Sequence, residues 1–356
     1  MRNLILPFIL LLTFVISCSD DSNTGEELEK KNTSYDLYIA GRENSKACYW
    51  KNNVKTDLTN GDNINPLEIL VQNNNIYVTG SNGSTPTSLK PIHYFWKNGT
   101  RYEIKQYLNL PNTGLHDITG FTVNNGDIYF SGYIENPAAT STFDKYELCY
   151  WKNGVKTILY KSQYTPAAEG IAVTNSTTGT DVYVSARITD NNQNTDRGYF
   201  KNMTFNSLNQ STYVFNFTKN TDGLHILFQK NASFYSKNIS TNVETSIGYY
   251  IHPVPIFGKI TGDIHTSDLY TIYYNQGNNY YKNTTTVTPS FSSLAYIQDV
   301  FALDNNIYII KYNNTNNTAY TGKVFANGIE VQTITSTQNS SQNFTGTFNA
   351  IYVVEN

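Results

Sequence analysis

A four-residue element recurs seven times along this chain, and its spacing limits the possible folds more than any other feature. It reads aromatic, aromatic, Lys, Asn. The copies are Tyr49-Trp50-Lys51-Asn52, Phe95-Trp96-Lys97-Asn98, Tyr150-Trp151-Lys152-Asn153, Tyr199-Phe200-Lys201-Asn202, Tyr235-Ser236-Lys237-Asn238, Tyr280-Tyr281-Lys282-Asn283 and a degenerate Val324-Phe325-Ala326-Asn327. The Asn positions 52, 98, 153, 202, 238, 283 and 327 lie 46, 55, 49, 36, 45 and 44 residues apart. A period in this range signals stacked supersecondary units, none of which can bury its apolar face alone. Where Gly follows the Asn, as at 99, 154 and 328, the pair reads as a two-residue hairpin turn, because both central residues must take positive φ.

A second element precedes each hairpin. It is the β-branched and aromatic run of Asp36-Leu37-Tyr38-Ile39, Asn75-Ile76-Tyr77-Val78, Asp127-Ile128-Tyr129-Phe130, Asp181-Val182-Tyr183-Val184, Leu224-His225-Ile226-Leu227, Asp268-Leu269-Tyr270-Thr271 and Asn306-Ile307-Tyr308-Ile309. A third, short and apolar, lies upstream of six of these, for example Leu67 to Val71, Thr119 to Val123, Gly170 to Val173 and Val300 to Leu303. With the strand after each Asn turn this makes four antiparallel strands per unit of roughly 46 residues, the size of a propeller blade. Composition agrees: Tyr (29) and Phe (18) favour half-buried strands, and 47 Asn supply turns. The expected fold is therefore all-β, a seven-bladed β-propeller of four-stranded antiparallel blades.

The ends of the chain predict how the ring closes. The first unit starts at a second strand, around Tyr38, without an inner neighbour, and the chain stops with Ala350-Ile351-Tyr352-Val353-Val354-Glu355-Asn356. That tail matches inner strands such as Gly120-Phe121-Thr122-Val123. Pairing the N- and C-terminal strands would remove two free sheet edges. The stretch from 203 to 265, where the motif erodes, leaves the blade boundaries least defined.

The first residues carry a different signal. Arg2 precedes an apolar run from Leu4 to Ile16, too short for a mature membrane span of about 20 residues. The run ends Val15-Ile16-Ser17-Cys18, which resembles the lipobox of bacterial lipoproteins. Ser19-Asp20-Asp21-Ser22 resembles the acidic signal that follows the lipidated Cys in surface-exposed lipoproteins of the Bacteroidota, and the repeats are similar to those of Bacteroidota lipoproteins bearing Tyr-Trp-Lys-Asn-Gly units. The resemblance implies a signal peptide at 1–17, lipidation of Cys18, a sorting role for Asp20 and Asp21, and residence at the outer membrane or cell surface. Residues 18–34 hold one large apolar side chain, Leu28, and so read as a flexible acidic and polar tether. The propeller domain then occupies 35–356.

Chemistry is sparse. A net charge of -3 gives no basic excess for a nucleic-acid partner. The five His show no metal-ligand spacing, and neither a nucleophile elbow nor a phosphate loop is present, so no metal and no cofactor is expected. Cys48 and Cys149 fall at the same repeat position two units apart, which predicts free, buried thiols rather than a disulfide. Candidate site residues come from architecture: Glu68, His116, Asp117, Glu169 and Asp299 lie near the starts of inner strands, where they would face the channel. The sequence favours a monomeric, non-enzymatic binding or scaffold module for a glycan or protein. The alternative is a propeller enzyme acting on glycans or lactones, with channel carboxylates as acid and base.

Overall fold

The computed structural model describes residues 34–83, 91–177, 179–209, 211–231, 233–249, 257–273, 277–315, 318–340 and 343–356. The signal peptide, Cys18, Asp20, Asp21 and the tether lie outside the described residues, apart from Ser34. The unit from Tyr35 to Asn356 contains every described strand. Its 28 described strands, β1 to β28 in chain order, form seven antiparallel sheets of four. The innermost strands are β4 (Asn65–Gln72), β8 (His116–Asn124), β12 (Ala167–Ser176), β16 (Tyr213–Asn220), β20 (Phe257–Gly262), β24 (Tyr296–Leu303) and β28 (Thr347–Glu355). Each packs against the inner strand of the next sheet, and β28 returns to β4, so the seven blades form a closed ring.

Closure follows the predicted route. β28 is the inner strand of the blade that begins the chain, pairing with β1 (Tyr35–Glu43), and it is followed by β2 (Lys46–Lys51) and β3 (Val54–Asp62). The register aligns Ile39 with Ile351 and Leu37 with Val353. Gly41 is required here, because a Cβ at this position would run into the backbone of Thr347. Phe348, Ile351 and Val353 of the last strand are buried with Trp50 and Ile39 of the first blade and Ile310 and Val324 of the seventh. Fully burying three such side chains stabilises the ring by roughly 1.5–3 kcal/mol each.

Seven hydrophobic clusters, one between each pair of neighbouring blades, make up the core. The three Trp residues of the repeat serve these seams. Trp50 meets Phe348 edge-on at 5.1 Å, Trp96 packs with Tyr38 and Ala350, and Trp151 sits with Phe95 and Phe130. Cys48 and Cys149 are free and buried, and burial pushes both thiols up to about 12.

The Lys-Asn pair is more than a solvated turn. In the first blade the Asn52 N–H donates to the Leu37 carbonyl at 2.9 Å, and its side-chain oxygen accepts from the Leu37 N–H at 2.8 Å. Its amide nitrogen donates to Asp36 at 2.6 Å, while Lys51 pairs with the same carboxylate at 2.7 Å and lies over the Tyr38 ring. The Asn thus stitches the third strand of the blade to the second just where the ladder would fray. The stitch recurs at Asn98, Asn153, Asn202, Asn283 and Asn327. This explains the spacing of the Asp-x-Tyr and aromatic-Lys-Asn elements: their ends must meet across one strand pair.

Candidate functional site

Every inner strand carries a register slip against its neighbour, with an unpaired residue at Leu67, Thr119, Glu169, Gly258, Gln298 and Asn349 and two at Phe215-Asn216. A bulge bends the strand and re-aims its side chains. Here it breaks the alternation of the inner strands at one level of the ring, so that polar residues face the axis. Around that level lies a cavity of about 300 Å³ to which all seven inner strands contribute.

Three of the five residues proposed from sequence, Glu68, Glu169 and Asp299, line this cavity. Glu68 and Asp299 occupy equivalent positions directly after a bulge, as does Lys259. His116 and Asp117 do not line it. They precede the bulge at Thr119, where the position equivalent to Glu68 is taken by Gly120. His116 is exposed and borders a separate cavity of about 240 Å³ together with His93 and Glu103. Asp117 is half-buried, and burial raises its carboxyl.

Two electrostatic neighbourhoods occupy the axial cavity. In the first, Lys259 binds Asp299 at 2.8 Å. Asp299 also accepts from the N–H of Ile351 at 2.9 Å and from that of Val300. Burial raises the Asp299 carboxyl, against the pull of Lys259 and of these two donors. This carboxylate therefore ties the seventh blade to the closing strand, and its lone pairs are engaged. Glu68, beside it, is pushed up to about 7 by burial and by the Asp299 charge, with Lys259 opposing. In the second neighbourhood Glu169 is likewise pushed up to about 7 by burial, with Asp117 adding to the rise and Arg187 and Arg197 acting against it.

Lys259, Asn216, Gln298 and Asn349 were not singled out by sequence reasoning, although all four line the cavity. Gln298 and Asn349 stand at their bulges, and the signal available for them was a polar residue interrupting an apolar inner-strand run. Asn349 donates to Asn65 and to the Pro66 carbonyl, each at 2.8 Å, across the junction of the first two blades. Apolar wall is supplied by Phe121, Phe215, Phe217, Phe301 and Tyr352, the last two 4.9 Å apart. Among the described residues no group of three His, Cys, Asp or Glu side chains could hold a metal ion.

No protein-family model matches the chain, and no curated protein matches it in sequence. Solved structures resemble it in fold. One is a nidogen–laminin complex, at 9% identity and a TM-score of 0.39, covering 90% of this chain and 98% of that one. Another is apo AztD from Citrobacter koseri, at 10% identity and a TM-score of 0.44, with 91% and 98% covered. A third comes from a study of two prolyl endopeptidases, at 10% identity and a TM-score of 0.45, with 85% of this chain and 50% of that one covered. Likeness at this level carries no argument about activity.

Proposed function

We propose that this protein is a lipid-anchored surface module whose propeller holds a ligand, a glycan or a protein group, at the axial cavity without acting on it chemically. The cavity carries the reading: seven bulges recur at one level and turn polar side chains from successive blades onto one shared space. Tyr35 pairs with Glu355, at the finishing end of an inner strand, whereas the bulges sit in the starting halves of the inner strands. The cavity therefore lies toward the face of the ring opposite the one at which β1 begins.

Three experiments test this. Cys18→Ala should abolish labelling by a fatty-acid probe; normal labelling of that variant contradicts the anchor. Replacing Asp20 and Asp21 by Ala should leave the anchored protein shielded from protease on intact cells, and undiminished display rules out a sorting role. On a glycan array, the solubilised full chain should bind a restricted set of glycans, and Glu68→Gln combined with Glu169→Gln should weaken that binding at least tenfold. Equal binding by the variant would move the ligand site off the axis.

One observation favours a second reading, an enzyme acting on glycans or lactones. Glu68 and Glu169 are both held near 7, the range suited to proton transfer at neutral pH. Against it, the two stand two blades apart, on β4 and β12. Turnover of a glycoside or lactone panel, abolished by Glu68→Gln, would establish that reading.

A further inference from the structure

Five charged side chains are buried among the described residues: Arg42, Glu147, Asp263, Asp299 and Lys311. Four of them have partners. Glu147 pairs with Lys156 at 2.7 Å and Asp299 with Lys259 at 2.8 Å. Asp263 accepts from the N–H groups of Asp304 and Asn305 at 3.0 and 2.8 Å, and Lys311 donates to the Ser292 carbonyl at 3.0 Å. Arg42 is the exception. It is 7% exposed, and among the described residues its side chain forms neither an ion pair nor a hydrogen bond. Its Nε is sealed from solvent without an acceptor, whereas the two terminal nitrogens, equally without acceptors, stay open to it.

Nothing around Arg42 supplies the counter-charge. The residues directly across from it are Ala47 on β2 and Thr347 on β28, and neither can neutralise a cation. Glu43, next along the chain, is held by Lys55 at 2.7 Å, and strand alternation turns it to the other side of the sheet. Burial pushes the guanidinium below its ordinary value with no carboxylate acting on it, yet an arginine keeps its charge in proteins. A buried cation without a counter-charge is costly, and an apolar residue of similar volume would serve the packing better. The partner that this position lacks is therefore an anion.

We infer that Arg42 is the core of an oxyanion-binding site in the first blade, taking one carboxylate, sulfate or phosphate group, free or carried on a glycan, through its terminal nitrogens. A guanidinium presents parallel N–H groups at the spacing of two oxygens on such a group, so the site selects oxyanions over halides. Thr347 begins β28, two residues before the Asn349 that lines the axial cavity. Arg42 thus stands one strand out from that cavity, in the same half of the ring. The site is separate from the axial one, and its failure would leave the axial reading untouched.

Titration calorimetry on the solubilised full chain tests this with sodium sulfate, sodium phosphate and sodium acetate, each replacing chloride in a Tris buffer at fixed ionic strength. At least one of these oxyanions should bind saturably at one site per chain against the chloride background, a readout that needs no variant. Arg42→Lys keeps the charge and loses the fork, and should weaken that binding roughly tenfold; Arg42→Met should abolish it. A glycan array separates the two sources. Sulfated or uronate-bearing glycans that outbind their neutral parents on the wild type, and lose that advantage on Arg42→Lys, place the oxyanion on a glycan. Saturable binding of the inorganic ions without such a preference places it in solution, and the site stands in either case. No saturable binding of any oxyanion, or binding that is undiminished in both Arg42→Lys and Arg42→Met, would overturn the inference.

Discussion

The third and fifth blades are built to the same plan with different fastenings. In the third, Asn153 occupies a two-residue turn with Gly154, both at positive φ. Its side chain reaches back to Ile128 and Asp127 at 2.8 and 2.7 Å, and Lys152 closes over Tyr129. In the fifth, Asn238 turns inward on its own loop, accepting from the N–H groups of Ser240 and Thr241 and donating to the Asp222 carbonyl. His225 takes the place of the tyrosine and contacts Ser236 and Asn220. Both blades nonetheless keep four strands, because Ile226, Phe228, Leu227 and Phe234 still fill the seams on either side. Seam packing makes a blade, and the Asn stitch secures the edge of one.

The largest effect tests whether seams depend on closure. Deleting 347–356 removes Phe348, Ile351 and Val353 from the seam of blades seven and one and leaves unpaired edges facing each other. At roughly 1.5–3 kcal/mol per side chain, against a total of about 5–15 kcal/mol, the truncated protein should unfold or aggregate. Melting within a few degrees of the full chain would mean that the other six seams hold the ring alone.

The stitch should show next. Asn153→Ala leaves the Ile128 N–H and the Asp127 carboxylate short of a partner and should cost about 1–3 kcal/mol in chemical denaturation. Lys152→Met removes an exposed ion pair with Asp127 and the ammonium over Tyr129, and should cost only about 0–1 kcal/mol. Equal costs would show that charge, rather than the amide, fastens the third blade.

Smaller effects separate the regions by pH. Glu68, raised in the folded state to about 7 by burial, binds its proton more tightly folded than unfolded. Its contribution to stability is therefore complete below about pH 4.3 and is lost as pH rises through 7. Glu68→Gln should accordingly stabilise the protein relative to wild type more at pH 8.5 than at pH 5. A variant less stable at pH 8.5 would reverse the assignment. His225 has the opposite sign. Burial lowers its imidazole below the ordinary value, so its contribution is present above about pH 6.5 and is lost as pH falls toward the folded value. His93, lowered by burial and by His116, acts alike. His225→Gln should shrink the difference in melting temperature between pH 7 and pH 5. An unchanged difference would exonerate the fifth blade.

These regions also differ in how legible they were. Blade number, strand order and closure could be read because the Asp-x-Tyr and aromatic-Lys-Asn elements recur at fixed separations, and a strand that packs on both faces needs aromatic and β-branched residues. The inner strands were read short: β8 begins at His116 rather than near Thr119, and β24 at Tyr296 rather than near Val300. At Thr119, Glu169 and Gln298 the polar residue of the bulge stood at or just outside the edge of the apolar run. That same misreading hid Gln298, and it placed His116 and Asp117 on the axis, since alternation cannot be counted through a bulge whose position is unknown. Lys259 was invisible for another reason, lying in the eroded stretch before 265 where no repeat marks the register.

Closure by the C-terminal strand is the claim on which the cavity, the seams and Asp299 all depend, and amide hydrogen exchange reads it directly. The account predicts that peptides covering 347–356 exchange only by global unfolding, with protection equal to that of peptides covering β8 in the middle of the chain. Fast exchange of the last ten residues, as in a frayed terminus, beside a protected β8, would contradict it.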